Sequence, residues 1–383
     1  MEEIYFDNAA TTRPYDEVCG RVAQLMKECY ANPSSLHSFG MKAEKWVRTS
    51  RAAIAKILGV APRDVYFTSG GSESDNISIL GYVHANPKKC RRIVTTQIEH
   101  AAVYEPCRRL QEEGMEVCFV GVDSEGKLNL EEFEKSLTTE TGLVSVMSVN
   151  NETGAVQPLS ELKAIMKQKC PQAVLHVDHV QGFTKIPMEI NRWGVDLLSI
   201  SGHKIHGPKG IGALYVRDRL KVHPVVWGGG QESGVRSGTH SVYDIAGFAL
   251  AAQMTQERNE KESAAAIMQK ARLLIEKRIP HIRVNTPREG AAPHILNISF
   301  LGLRAEVLLH ALESHQIYVS TGSACSSNRP ERSRTLLSMG LSREEVDSAI
   351  RFSFSQFNTE DEVEYMVDRL EKEVETLRKY SGR

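Results

Sequence analysis

The chain has 383 residues, 41% of them hydrophobic, and a formal net charge of -1. That length argues for two globular units with substantial cores, and the near-neutral balance offers no global field for nucleic acid or an anionic membrane. No apolar run approaches the roughly 20 residues of a membrane span, and the acidic opening MEEIYFDNAATTRP does not read as a secretory signal, so a soluble cytoplasmic protein is expected.

In chain order, short β-branched runs alternate with stretches of helical length. Strands are predicted at 65–68 (VYFT), 92–96 (RIVTT), 116–120 (EVCFV), 143–149 (LVSVMSV), 173–178 (AVLHVD), 196–201 (DLLSIS) and 211–216 (IGALYV). A helix over 72–85 is expected to open on an S-x-x-D cap formed by Ser72 and Asp75. Another, over 101–114, ends at a glycine. Near-continuous apolar strands separated by helices predict a mostly parallel sheet covered on both faces. Beyond about residue 240 the texture changes, with a polar helical stretch over 251–279 and strands at 294–300 and 350–355. The chain closes on an amphipathic helix whose apolar face carries Val363, Met366, Val367, Leu370, Val374 and Leu377. The expected architecture is α/β, with a large domain over 15–250 and a smaller α+β domain built from 1–14 and 251–383.

The cysteines, seven in number, contain no C-x-x-C pair, so neither a disulfide framework nor a zinc ribbon is expected. Most of them sit in helical or strand contexts and read as small buried hydrophobes. Cys325 differs, because it lies in STGSACSSNRPERSR, a run of small and charged residues with neither helical nor strand periodicity.

Chemistry concentrates where predicted strands end. In DLLSISGHKIHGPKGIG a buried strand runs into Ser201, Gly202, His203 and Lys204. The carboxyl ends of strands face the ligand crevice of open α/β sheets, and a lysine there can combine with a carbonyl compound. An isolated lysine in a turn would read as surface. A phosphate-binding P-loop fails because Pro208 stands at its lysine position, and His203 with His206 lacks a third metal ligand. The run Gly228–Gly230 lacks the strand-to-helix context of a dinucleotide fingerprint. AVLHVDHVQ, however, places Asp178 at the end of another apolar strand, where a carboxylate is costly unless a cation meets it. A protonated pyridine nitrogen would do so, and Asp with a carbonyl-binding lysine is the minimal toolkit for pyridoxal 5'-phosphate. FTSGGSESDN offers Gly70, Gly71 and Ser72 at a helix start for the phosphate, and TQIEHAAV offers His100 to stack on the ring and move protons.

Taken together, these blocks resemble the cysteine desulfurases of the class V aminotransferase group. The resemblance is carried in order by NPSSLH (32–37), FTSGGSESDN (67–76), EH (99–100), VNNETG (149–154), D-x-x-Q (178–181), SGHK (201–204), GPKGIGALYV (207–216), GGGQESGVRSGT (228–239) and GSAC (322–325). It implies fold type I of the pyridoxal phosphate enzymes, with a seven-stranded, mostly parallel sheet in the large domain. By the same resemblance Lys204 binds the cofactor covalently, Asp178 meets the pyridine nitrogen, and Gln181 bonds the ring oxygen. Gly71, Ser72, Ser201 and His203 hold the phosphate, and Thr239 reaches the phosphate of a partner subunit in a homodimer. Asn151 and Arg351 hold the carboxylate of L-cysteine, and Cys325 accepts its sulfur as a persulfide on a long catalytic loop. The sulfur then passes to a protein acceptor, for iron–sulfur cluster, tRNA or cofactor thiolation.

Four positions depart from the family pattern: His179 where a small residue is usual, Thr184 where glycine is common, Arg334 in place of histidine or tyrosine, and Gln356 in place of arginine. Because the sequence ends soon after its last helix, the extended tail that helps such enzymes dock a scaffold protein is not expected. An aminotransferase, a kynureninase-like hydrolase or a selenocysteine lyase shares the fold, as would a binding subunit without activity. GSAC weighs against transamination, and intact Lys204, Asp178, His100 and Cys325 weigh against an inactive subunit.

Overall fold

The seven apolar runs predicted between residues 65 and 216 all form strands of one sheet. The computed structural model describes residues 3–321 and 332–381. Its strands are β1 (Ile4–Tyr5), β2 (Val65–Thr68), β3 (Arg92–Thr96), β4 (Glu116–Val120), β5 (Thr141–Met147), β6 (Val174–Asp178) and β7 (Leu197–Ser201). They continue as β8 (Gly212–Val216), β9 (Ile282–Val284), β10 (Ile295–Phe300), β11 (Ile317–Tyr318), β12 (Ser320–Thr321) and β13 (Ala349–Ser353). The large sheet has the order β2-β8-β7-β6-β5-β3-β4, with β8 antiparallel to both neighbours and the remaining pairs parallel.

Apolar residues fill both faces of this sheet because each face is covered. Along β6, Val174 packs with Ile77, Val103 and Leu110 from the helical stretches 71–85 and 101–112. Leu175 and Val177 turn the other way, to the core shared with Ile54, Phe248 and Ala252. Successive strand side chains point to opposite faces, so a run with no polar partner position must be buried twice. β5 begins and ends earlier than its apolar run suggests, since Ser148 leaves the sheet to donate its N–H to Asp178 O at 2.8 Å.

Two local expectations are corrected. The helix Gly71–Asn76 is capped by Gly70, with no side-chain cap bond, so Ser72 lies inside the first turn and Asp75 is buried instead of capping. The stretch 251–279 is two helices, Val242–Glu257 and Glu260–Arg278, broken at Asn259, whose φ of 51° is left-handed. The first is apolar on all sides and packs against helices Asp16–Glu28 and Ser38–Leu58. A helix without a polar face is stable only when surrounded. Buried residues of the first core run to Met254, and those of the second resume at Ile267.

The second core gathers around the antiparallel sheet β12-β13-β10-β9 and the closing helix Glu360–Ser381. Val363, Met366, Val367, Leu370 and Val374 are buried there, and Leu377 is partly buried. Ile4 and Phe6 belong to this core, whereas Tyr15 belongs to the first. Residues 7–12 thus cross from one core to the other. Among the described residues no helix is long and apolar enough to cross a membrane.

Candidate functional site

β5, β6 and β7 end side by side, and their carboxyl ends bring Met147, Asp178 and Ser201 to one cavity of about 280 Å³. This edge is where open α/β sheets place their ligands. The following turns add Asn151, Gln181, His203 and Lys204, while Gly71, Ser72 and His100 enter from helix starts. Arg351 reaches the same cavity from β13 in the second core.

The floor holds acids with little to balance them. Asp178 accepts the Val180 N–H at 2.9 Å. Burial pushes its carboxyl up to about 7; Asp75 adds to the rise, while the Val180 N–H, His176 and Lys204 pull back. Asp75, also raised by burial to about 7, has an Oδ1 with no hydrogen-bond partner among the described residues. His176 Nε2 lies 3.4 Å from that oxygen, but burial holds the ring at about 4, so the pair is a contact and not an ion pair. Outside the cavity lining, behind Met147, Glu99 accepts from Thr96 Oγ1 and from the Met147 N–H, and burial raises it to about 8. Buried carboxyls without a cation favour the neutral form.

Opposite the floor, Lys204 sits on the short turn Gly202–Lys204 after β7. Its Nζ donates to Ala9 O at 2.7 Å and to Ala10 O at 2.8 Å. Gln181 Nε2 donates to the same Ala9 carbonyl at 2.9 Å, and the Ala9 N–H donates to Ser353 Oγ at 2.8 Å. Thr12 donates from both N–H and Oγ1 to His203 O, each at 2.9 Å. The crossing segment 7–12 is therefore the lid over the lysine. His203 itself meets Thr11 Oγ1 at 3.2 Å, and burial with nearby Lys204 keeps its ring at about 4.

His100 caps the helix Ala101–Glu112, its Nδ1 accepting the Ala102 N–H at 3.1 Å. Burial first, then Lys204 and Arg334, lowers it to about 4. A neutral ring that accepts at Nδ1 must carry its proton on Nε2.

At one end of the cavity Gly70, with φ 154°, precedes helix N–H groups that no side chain caps. A Cβ on Gly71 would lie 2.7 Å from Val180 Cγ2, so only glycine lets the backbone approach here. Ser201 Oγ beside it is buried with no partner among the described residues. At the other end Arg351 Nη2 meets Asp7 Oδ1 at 2.8 Å and Nη1 donates to Asn151 O at 2.9 Å. Its buried Nε has no partner among the described residues. Hydroxyl and N–H groups at one end suit a phosphate, and a guanidinium N–H at the other suits a carboxylate.

Thr239, expected at a partner's phosphate, is exposed and is not part of this protomer's cavity. Cys325 lies outside the described residues. Among those residues, no cluster of three His, Cys, Asp or Glu side chains could hold a metal ion.

The departures have local physical accounts. His179 points away from the cavity and bonds Ser148 Oγ at 2.8 Å; its ring occupies the space a Cβ on Gly182 would need. Thr184 has a φ of 64°, and its Oγ1 is buried without a partner among the described residues. A β-branched residue is strained there, which explains why glycine suits the position. Arg334 lies over the Tyr104 ring, 3.4 Å from its centroid, beside His100. Gln356 Nε2 is buried without a partner among the described residues.

Sequence reasoning missed the segment 7–12, Asp75 and His294 as parts of the site. The density of small and polar residues in DNAATT is the one signal that could have flagged the first.

The class-V aminotransferase family model matches residues 4–366. The protein named "Cysteine desulfurase IscS" from Clostridium botulinum (strain Hall) is 38% identical over 384 residues, covering 99% of this chain and 96% of its own. "Cysteine desulfurase" from Nostoc sp. is 40% identical over 385 residues, covering 100% and 95%. A solved "NIFS-LIKE PROTEIN" superposes with a TM-score of 0.92 at 37% identity, over 98% of this chain and 100% of that one. "SspA in complex with cysteine" superposes with a TM-score of 0.82 at 29% identity, over 93% and 100%. With this coverage, and with the sheet and cavity just described, the chain belongs to the class-V aminotransferase family and stands among its cysteine desulfurases.

Proposed function

We propose that this cavity holds pyridoxal 5'-phosphate and that the enzyme uses it to take sulfur from L-cysteine, leaving L-alanine, with Cys325 as the residue that receives the sulfur. The observation that carries the reading is Asp178, a carboxylate pushed up to about 7 by burial at the end of β6, lining the same cavity as Lys204. His176 and Lys204 offset the burial of that carboxylate only in part, and a protonated pyridine nitrogen would supply a full cation there. When bound, the cofactor supplies a carbonyl carbon that combines with amines and a conjugated ring that accepts electrons from the substrate Cα.

The chain's own residues do the rest. Lys204 Nζ gives up its place on the Ala9 and Ala10 carbonyls to hold the cofactor, and then removes the Cα proton of L-cysteine. Asp178 keeps a proton on the ring nitrogen, and Gln181 donates to the ring oxygen. Gly71 and Ser72 offer N–H groups, and Ser201 and His203 offer side chains, to the phosphate. Arg351, through its unengaged Nε–H, and Asn151 orient the substrate carboxylate. His100, with its proton on Nε2, would lie beside the cofactor and relay protons. In the transfer the substrate Cβ–Sγ bond would break and a Sγ–S bond form on the Cys325 thiolate; Cβ takes up the proton lost by the Cys325 thiol and Lys204 returns the proton to Cα, so the products are alanine and a persulfide. A protein acceptor then takes the terminal sulfur.

Thr239 is exposed on this protomer, which supports its serving the phosphate of a partner subunit in a homodimer. Exposed apolar side chains at Tyr30, Leu36, Met41 and Trp227 offer such a contact surface. We divide the chain into a large cofactor-binding domain and a small domain that includes the N-terminal segment, and we place the enzyme in the cytoplasm.

The test is product and intermediate together. L-cysteine with dithiothreitol should give alanine and sulfide without a keto acid, and Cys325 should gain one sulfur atom by mass spectrometry. Cys325→Ala should keep the cofactor's visible absorption and lose the persulfide. Sulfide release at the full rate by that variant would overturn the role of Cys325, and transamination without sulfide would overturn the reaction.

A further inference from the structure

Gln181 has both edges of its side-chain amide engaged. Nε2 donates to Ala9 O at 2.9 Å, and Oε1 faces His294 Nε2 at 3.1 Å. Since Oε1 can only accept, His294 donates through Nε2. Its other nitrogen, Nδ1, is buried with no partner among the described residues. Burial, with Lys185, Arg351 and Lys204 as the nearby cations, holds this imidazole well below the usual histidine range. The ring is neutral, with one proton and one place to give it. His294 directly precedes β10 in the second core, whereas Gln181 follows β6 in the first, so this bond spans the two units beside the cavity.

We propose that His294 is a positioning residue: by donating to Gln181 Oε1 it fixes the amide so that the N–H left over, and not the carbonyl, faces the cavity. The opposite orientation sets Oε1 against the Ala9 carbonyl and obliges His294 to carry its proton on Nδ1, where no described residue accepts it. The residue then admits only an acceptor at that point of the cavity. This deepens the reading of Gln181 as the partner of the cofactor's ring oxygen, and it rests on that reading.

An N–H aimed at the ring oxygen draws electron density from it and lowers the affinity of the neighbouring group for its proton. The pH midpoint of the bound cofactor's visible absorption therefore reports whether the N–H is in place, independently of turnover. Each variant is reconstituted with pyridoxal 5'-phosphate and titrated spectrophotometrically. His294→Leu should move the midpoint upward by roughly one pH unit, the size expected for weakening one hydrogen bond to a charged oxygen. His294→Asn, which keeps a donor, should return most of the shift, and His294→Met replaces the leucine variant should that one fail to fold. Gln181→Ala should move the midpoint at least as far, and adding His294→Leu to it should move it no further, because His294 acts through Gln181. A shift with Gln181→Ala but none with His294→Leu or His294→Met overturns the role of His294. No shift with Gln181→Ala overturns the reading of Gln181, and the proposal with it.

Discussion

Asp178 and Glu232 are both carboxylates sunk beneath the surface of the same half of the molecule, and they are driven in opposite directions. Burial by itself would raise Glu232, but Arg51 forks onto it with Nη1–Oε2 and Nη2–Oε1 distances of 2.6 and 2.7 Å. His240 Nε2 at 2.5 Å and the Phe67 N–H at 2.8 Å add to this, and the carboxyl is held at about 2. This complete set of partners anchors a tight loop in which Glu232 and Ser233 have φ of 49° and 54°. Asp178 is flanked instead by Asp75 and accepts one backbone N–H, with His176 and Lys204 offsetting its burial only in part, and stands at about 7. A carboxylate whose cation is built into the fold is structural, whereas one left short of a cation at the end of a strand suits a cationic ligand.

Substitution separates the two most sharply. Asp178→Asn keeps the shape but cannot keep a proton on the ring nitrogen, so alanine formation should fall by roughly 10³-fold or more. The urea stability of the cofactor-free protein should change by no more than about 1 kcal/mol in the same variant. Glu232→Ala should do the reverse at the level of folding. Breaking its fork leaves Arg51 without its anion, and the loss should be about 3–5 kcal/mol in urea unfolding.

The pH dependence should also divide. The folded value of Glu232 is depressed below its ordinary 4.5, so its contribution is present above that pH and lost as pH falls toward about 2. Asp178 is raised above its ordinary 3.8, so in cofactor-free protein its contribution is full below 3.8 and lost as pH rises through about 7. Adding pyridoxal phosphate should leave the first untouched, in melts from pH 2 to 4.5, and cancel the second loss, which thermal melts from pH 4 to 8 can measure. If cofactor-free and reconstituted protein lose stability in parallel over that range, Asp178 is not the cofactor's counter-ion. The smallest expected effect is at Thr184, where Thr184→Gly should relieve the left-handed strain and raise stability by about 1 kcal/mol without altering turnover.

How much of this was legible follows from distance along the chain. The strands could be read because each apolar run is its own signal, and Lys204 and Asp178 could be read because each ends such a run. The break at Asn259 could not, since Ala- and Glu-rich residues continue a helical pattern on both sides of it. The Ser72 cap misled because a glycine with unusual φ, not a side-chain oxygen, opens that helix. His294 carried no local signature, and the small, polar DNAATT run does not by itself say what it covers; the Gln181–Ala9 bond joins residues 172 positions apart.

By itself, then, the sequence determined the alternation of strands and helices, the two cores, and the kinds of chemical group that end the strands. Hydrophobic period and terminal residue type are local quantities. Only the tertiary structure decided which way Asp178 and Glu232 are driven, which tautomer His100 holds, and which edge of Gln181 meets the cavity. Those depend on burial and on charges and donors brought together from remote parts of the chain, and Coulombic and hydrogen-bond energies act through space and not along the backbone.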